Sequence, residues 1–147
     1  MDKEKNFSGS YTNNLDSKGR VSLPFRFRES LGGRVFITKG TDNKFLWLFT
    51  EDGWFKYLEK LNNLPNSIAA KHARRYLIGN AYECEIDKLG RIQIPAPLRD
   101  FAGLGKEVLF MGNGSNIEIW KKSEKEKLDA EVDEAGGIQK YMEELNL

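Results

Sequence analysis

The segment LDSKGRVSLPFRFR, Leu15 to Arg28, returns seventy-one residues later as IDKLGRIQIPAPLR, Ile86 to Arg99. Extended back to the shared tyrosine, Tyr11–Arg28 and Tyr82–Arg99 align without gaps. Six of 18 positions are identical: Tyr11/Tyr82, Asp16/Asp87, Gly19/Gly90, Arg20/Arg91, Pro24/Pro95 and Arg28/Arg99. Four more are apolar in both copies: Leu15/Ile86, Val21/Ile92, Leu23/Ile94 and Phe27/Leu98. Average residue usage would give roughly one chance identity over such a length. The chain is therefore an internal repeat, and the repeat sets the fold.

Each copy spells the same local structure. Leu15 or Ile86 belongs to a first strand. Ser17-Lys18-Gly19 and Lys88-Leu89-Gly90 make tight turns, with glycine supplying the positive φ such turns need. In the strand that follows, Val21 and Leu23 point one way while Arg20 and Ser22 point the other. Ile92 and Ile94 against Arg91 and Gln93 repeat this alternation. Pro24 and Pro95 end the strand and suit the start of a short helix, and Gly32 and Gly103 suit its end.

A hairpin comes next in both copies. Its first strands are Arg34–Thr38 and Glu107–Met111; its second are Phe45–Phe49 and Asn116–Trp120. Phe45–Phe49 is apolar throughout, which predicts cover on both faces. Ile117-Glu118-Ile119 alternates, which predicts one wet face.

Between the copies lies helical sequence. Trp54, Phe55, Leu58 and Leu61 form a broad apolar face, and Leu64-Pro65-Asn66 interrupts it. Ser67 is placed to cap a second helix, Ile68 to Ile78, with Ile68, Leu77 and Ala73 on its core side. After Trp120, Ser123 is placed to cap a charged helix broken near Gly136-Gly137. Leu128, Val132 and Ile138 give that tail only a thin apolar stripe, which predicts weak packing or contact with another subunit. The organisation expected is a half-repeat over 9–53, a helical insert over 54–80, a second half-repeat over 81–124 and a charged tail over 125–147.

One half of 40 to 50 residues is too short to bury a core alone. Two related halves can close a common barrel about a pseudo-twofold axis, each lending strands to the other. The fold class expected is α+β, β-rich: a swapped-hairpin barrel with inserted helices and a C-terminal helix.

Composition narrows function less than the repeat does. The 147 residues are 39% hydrophobic and 31% charged, with a net charge of +1. Residues 1–120 carry net +4 and the remainder net −3, so a mildly basic body has an acidic tail. One cysteine, Cys84, excludes a disulfide within the chain, and with one histidine, His72, leaves too few ligands for a Cys/His zinc site. A reducing cytoplasm suits this usage. MDKEKNFSGS lacks the apolar stretch of a secretory signal, and no apolar run approaches membrane-spanning length.

Enzyme readings fail on residue type. The paired aspartates match aspartic proteases only in number, because here glycine comes three residues after each Asp and an arginine stands near each. No G-x-S-x-G elbow and no G-x-x-x-x-G-K-[ST] phosphate loop occurs. His72 sits in Lys71-His72-Ala73-Arg74-Arg75, where neighbouring cations oppose its protonation. No catalytic, metal-binding or cofactor-binding residue is assigned, and no cofactor, membrane or small-molecule substrate is expected.

Arginine is the usual reader of phosphates and guanine edges, because its planar fork is bidentate. An Asp four residues away across a tight turn is an equally natural partner for it. Both apply to Arg20 with Asp16 and to Arg91 with Asp87, and the Asp can orient the Arg. Arg28 and Arg99, near helix C-termini, favour capping or an ion pair at the core edge.

The doubled pattern L-D-x-K-G-R-[VIL]-x-[LI]-P-x-x-[FL]-R around a helical insert resembles the MraZ family, whose members carry two SpoVT-AbrB domains in one chain. The resemblance covers about Gly9 to Trp120. It implies a cytoplasmic, nucleoid-associated regulator of transcription that forms a ring-shaped homo-oligomer. It also implies binding to short repeats of double-stranded promoter DNA upstream of the division and cell-wall gene cluster. The family's DxxxR motif falls on Asp16–Arg20 and Asp87–Arg91. That makes Arg20, Arg91, Lys18 and Lys88 the DNA-contact candidates, with Asp16 and Asp87 orienting them and Arg26, Arg74 and Arg75 as further basic candidates. Leu89 departs from the pattern where the first copy has Lys18, and Pro97 where it has Arg26. From Tyr11 to Leu31 the first copy is net +2; from Tyr82 to Ala102 the second is net −1. Phosphate attraction should favour the first. The competing class is a structural ring or protein-interaction scaffold, an antitoxin-like partner binder.

Overall fold

The two half-repeats exchange strands in the computed structural model, which describes residues 6–147. The first half runs β1 (Ser10–Asn14), β2 (Arg20–Ser22), α1 (Phe25–Arg28), β3 (Arg34–Lys39) and β4 (Leu46–Thr50). Helices α2 (Glu51–Asn62) and α3 (Ile68–Gly79) follow. The second half repeats the order as β5 (Tyr82–Glu85), β6 (Arg91–Gln93), α4 (Ala96–Ala102), β7 (Glu107–Asn113) and β8 (Asn116–Lys121). The chain ends in α5 (Lys122–Glu134) and α6 (Ile138–Glu144). The fold is α+β, as the repeat implies, with more of its residues in helices than in strands.

Strand order makes the exchange explicit. The large antiparallel sheet runs β1-β7-β8-β4-β3-β5, and β2 pairs β6 in a separate two-stranded ribbon. Each half's first strand thus joins the other half's hairpin. Swapping equivalent strands leaves this order unchanged. The registers agree: Trp47 faces its equivalent Glu118, and Val21 faces its equivalent Ile92. A pseudo-twofold axis therefore passes through both pairs.

The core belongs to both halves at once. Val21, Leu23, Phe27, Val35 and Ile37 of the first meet Ile92, Ile94, Leu98, Val108, Phe110, Ile117 and Ile119 of the second in one buried cluster. Neither half could bury these side chains alone. Each fully buried Leu, Ile or Phe contributes about 1.5–3 kcal/mol, so the shared core couples the halves into one folding unit.

Helices α2 and α3 cover the β3–β4 hairpin. Thr50 caps α2 by accepting from the Gly53 N–H, so this helix starts three residues before Trp54. Trp54 and Leu61 are buried, whereas Phe55 is half exposed. Phe36 and Phe49 of the sheet stack against Trp54 and Tyr57 of the helix, which covers the second face of β4 as its apolar sequence requires. Ser67 caps α3 through the Ala70 N–H. Ile68 is 75% exposed and Ala70 is buried in its stead. The helix faces the sheet through positions 70 and 77, a spacing of seven that keeps one face, and Ile68 lies off it.

The Glu118 face of β8 is not wet: Trp120 is buried on it, stacked 5.0 Å from Phe45, and its indole N–H donates to Glu118. Ser123 does not cap α5, which begins directly at Lys122 out of β8 with Lys121 at the cap position. No residue of α5 or α6 is buried, and Ile138 is 64% exposed. Leu15 and Ile86 sit one step past their strands, where their N–H groups still bond across the halves to Lys106 and Gly33.

Candidate nucleic-acid interface

The ribbon β2–β6 is short, but its register fixes which side chains share a face. Val21, Leu23, Ile92 and Ile94 point into the core. The alternate positions point outward, with Arg20 opposite Gln93 and Ser22 opposite Arg91. The ribbon is extended at each end by a backbone bond, Ile94 N–H to the Gly19 carbonyl and Leu23 N–H to the Gly90 carbonyl. The two motif turns therefore stand at opposite ends of one ribbon, separated by roughly 13 Å of strand.

The turns are built alike. Asp16 accepts from the N–H groups of Lys18 and Arg20 with one oxygen and from Arg20 Nε, at 2.8 Å, with the other. Asp87 does the same for Leu89, Arg91 and Arg91 Nε. The backbone N–H of Arg20, chiefly, holds the Asp16 carboxyl below its ordinary range, with the guanidinium and Lys18 N–H adding to it. Asp87 is lowered for the equivalent reason by Arg91. Each aspartate is thus charged at neutral pH and shapes its turn. Each bond uses only Nε, leaving the terminal nitrogens of side chains that are 35% (Arg20) and 30% (Arg91) exposed.

Arg28 and Arg99 do a different job from the turn arginines. Arg28 tucks beneath the other half's turn, where a Cβ on Gly90 would stand 2.5 Å from its guanidinium carbon, and its Nε donates to the Leu23 carbonyl. Arg99 lies beneath Gly19 in the same way, but its Nε is buried without a hydrogen-bond partner. Gly19 and Gly90 have φ of +79° and +78°. They combine a left-handed turn with close approach of a side chain, so both reasons for glycine apply.

The other candidates lie in different places. Lys18 and Lys88 are exposed at the turns, and Leu89 beside Lys88 is 66% exposed. Arg26 is exposed on α1. Arg74 on α3 donates to the Leu61 carbonyl at the end of α2, which ties the two helices together, and Arg75 is exposed on the same helix. The ribbon does not include these last two. Gln93 is not among the residues that the sequence singles out, although it shares the ribbon face with Arg20. Its position two residues after Arg91 is a sequence signal for that outward face, but the cross-strand register is what sets it opposite Arg20.

The architecture defines a class: a two-repeat, strand-exchanged α+β protein whose equivalent Asp–Arg turns bracket one ribbon. A family model described as "MraZ protein, putative antitoxin-like" matches residues 6–76 and again 77–146. The chain is 43% identical over 116 residues to the transcriptional regulator MraZ of Lachnoclostridium phytofermentans, covering 79% of this chain and 82% of that one. It is 40% identical over 143 residues to the protein of that name from Thermoanaerobacter sp., covering 95% and 98%. It is 44% identical over 128 residues to the one from Alkaliphilus oremlandii, covering 85% and 87%. The chain belongs to the MraZ family. Among the described residues no helix is long and apolar enough to cross a membrane.

Proposed function

We propose that this chain is a sequence-specific DNA-binding regulator of transcription. The observation that carries this reading is the pair of equivalently bonded Asp–Arg turns at the two ends of one ribbon, each holding an arginine by Nε and presenting its remaining donors. The ribbon with its turns suits duplex DNA, whose major groove admits a two-stranded β-ribbon. Arg20, Arg91, Lys18 and Lys88 contact DNA, Asp16 and Asp87 orient the arginines, and Arg26, Arg74 and Arg75 add weaker attraction.

The target is short repeats upstream of the division and cell-wall genes, including the chain's own promoter, in the nucleoid-bearing cytoplasm. The binding species is a ring-shaped homo-oligomer. A single subunit has few positive groups at the ribbon, so affinity comes from several subunits engaging repeated sites at high effective concentration.

The test is a gel shift with DNA from upstream of its own gene, using wild type and Arg20→Ala/Arg91→Ala in parallel. Specific retardation by the wild type, weakened steeply by salt and abolished in the double variant, is expected. The "antitoxin-like" wording of the family description favours a second reading, a ring that binds protein partners. An apolar protein interface would not show that salt response, and absence of any DNA shift would favour it.

A further inference from the structure

The scaffold is pseudo-symmetric, but the ribbon's outward face is not. At one end Arg20 stands opposite Gln93 beside the Lys18 turn; at the other Arg91 stands opposite Ser22 beside the Lys88-Leu89 turn. Ser22 and Gln93 are equivalent positions of the repeat, so the long amide belongs to one end alone. Gln93 is exposed, and its Nε2 donates to the Lys18 carbonyl at 2.9 Å. That bond crosses from one half to the other's turn and tethers the amide beside it.

The bond uses one of the two Nε2 protons. The Lys18 carbonyl can take the proton that points away from Oε1, which leaves the other proton and Oε1 side by side as a donor and an acceptor. Adenine offers the complementary pair in the major groove, N7 as acceptor and the N6 amino group as donor. An uncharged amide adds little to phosphate attraction, so its chemistry at this place is suited to a base edge. Cross-strand neighbours have Cβ atoms about 5 Å apart, close enough to the 3.4 Å stacking of bases for Arg20 and Gln93 to address adjacent pairs.

We propose that Gln93 is a specificity-determining residue, reading adenine in duplex DNA next to the base pair that Arg20 contacts. This rests on the DNA-binding reading above. The preferred site is therefore asymmetric across the ribbon, with the adenine requirement at the Arg20 end only.

The test selects duplexes from a randomised pool with wild-type chain, Gln93→Ser and Gln93→Glu, and compares base preferences position by position. Serine is the residue that the twin strand carries at this place, so the ribbon tolerates it, and thermal melting checks both variants. The wild type should prefer adenine at one position roughly tenfold or more over other bases. Gln93→Ser should flatten that position and leave the others, and the salt slope, as they were. Gln93→Glu, an acceptor without a donor, should move the preference there toward cytosine. Unchanged preference in both variants, or uniform weakening with an unchanged profile, would overturn the role of Gln93 while leaving DNA binding standing. Selection of no sequence by the wild type would overturn both.

Discussion

Arg28 of the first half lies against Gly90 of the second, so close that a Cβ on that glycine would meet its guanidinium carbon at 2.5 Å. Moving the arginine aside breaks the bond from its Nε to the Leu23 carbonyl. Gly90→Ala should therefore destabilise the fold by about 1–3 kcal/mol, from the left-handed backbone together with the displaced arginine. Chemical denaturation would measure it. In an Arg28→Ala background the cost of Gly90→Ala should fall, leaving only the backbone part.

Thr38 is fully buried on β3, and its hydroxyl donates to the Leu77 carbonyl near the end of α3 at 2.7 Å. Tyr76 reinforces this join by donating its hydroxyl to the Gly40 carbonyl. Thr38→Val keeps the shape but leaves a buried carbonyl short of its donor. A loss of about 1–3 kcal/mol is expected in a denaturation curve. A neutral result would mean that the α3 join is satisfied in some other way.

The motif makes the strand exchange legible because glycine, proline and alternating apolar residues recur at fixed offsets in both halves. That pattern defines local structure and also says that neither half can close by itself. Side chains whose place depends on register are harder to read. Gln93 is one more polar strand residue until β2 pairs with β6 and sets it opposite Arg20. Arg28 and Arg99 are legible as structural arginines, but capping their own helices is the nearer expectation. Their packing under the other half's turn depends on the exchange. Glu118 reads as solvated because its apolar neighbours alternate with it. Trp120 and Phe45 close over that face, and burial raises the Glu118 carboxyl above its ordinary range.

Cys84 on β5 is buried, and burial, helped by the charge of Glu83, pushes its thiol up to about 11 from an ordinary 9.0. The fold favours the neutral thiol. Its contribution is fully present below about pH 9 and is lost as pH rises toward 11. Thermal melts from pH 8 upward should show this decline, and Cys84→Ala should remove the part that starts near pH 9. Tyr57 and Tyr76, also raised by burial, add a fall in the same direction. Alkylation of the folded chain at neutral pH should be slow and should accelerate on unfolding.

The two turns should not contribute equally to DNA binding. Each turn carries one lysine, Lys18 or Lys88, but the first half has Arg26 where the second has Pro97, and the second adds Glu83, Glu85 and Asp100 around its turn against Glu29 in the first. Glu83, one source of the second half's negative charge, is already engaged by Arg34, which narrows the contrast without removing it. Arg20→Ala should weaken affinity roughly tenfold or more, and Arg91→Ala by less, in titrations at matched salt. Equal losses would show that the local charge balance does not rank the turns.

Asp16 offers the sharpest contrast between charge and geometry. Removing an acid from a DNA-binding face should strengthen attraction to phosphate, since net charge rises by one. Yet Asp16 holds both the Lys18 and Arg20 N–H groups and fixes Arg20 through Nε. Without it the turn loses its internal acceptor and the arginine regains its rotamer freedom, so the cost of ordering it falls on the binding step. Asp16→Ala should therefore lower DNA affinity several-fold despite the more favourable charge, with the chain still folded by thermal melting. Acid should reproduce the effect. The carboxyl stays ionised to below its ordinary value of 3.8, so the turn holds through mildly acidic pH and loosens only as pH falls through the lowered value. Tighter binding by Asp16→Ala at fixed salt would show that the aspartate opposes DNA and does not orient the arginine.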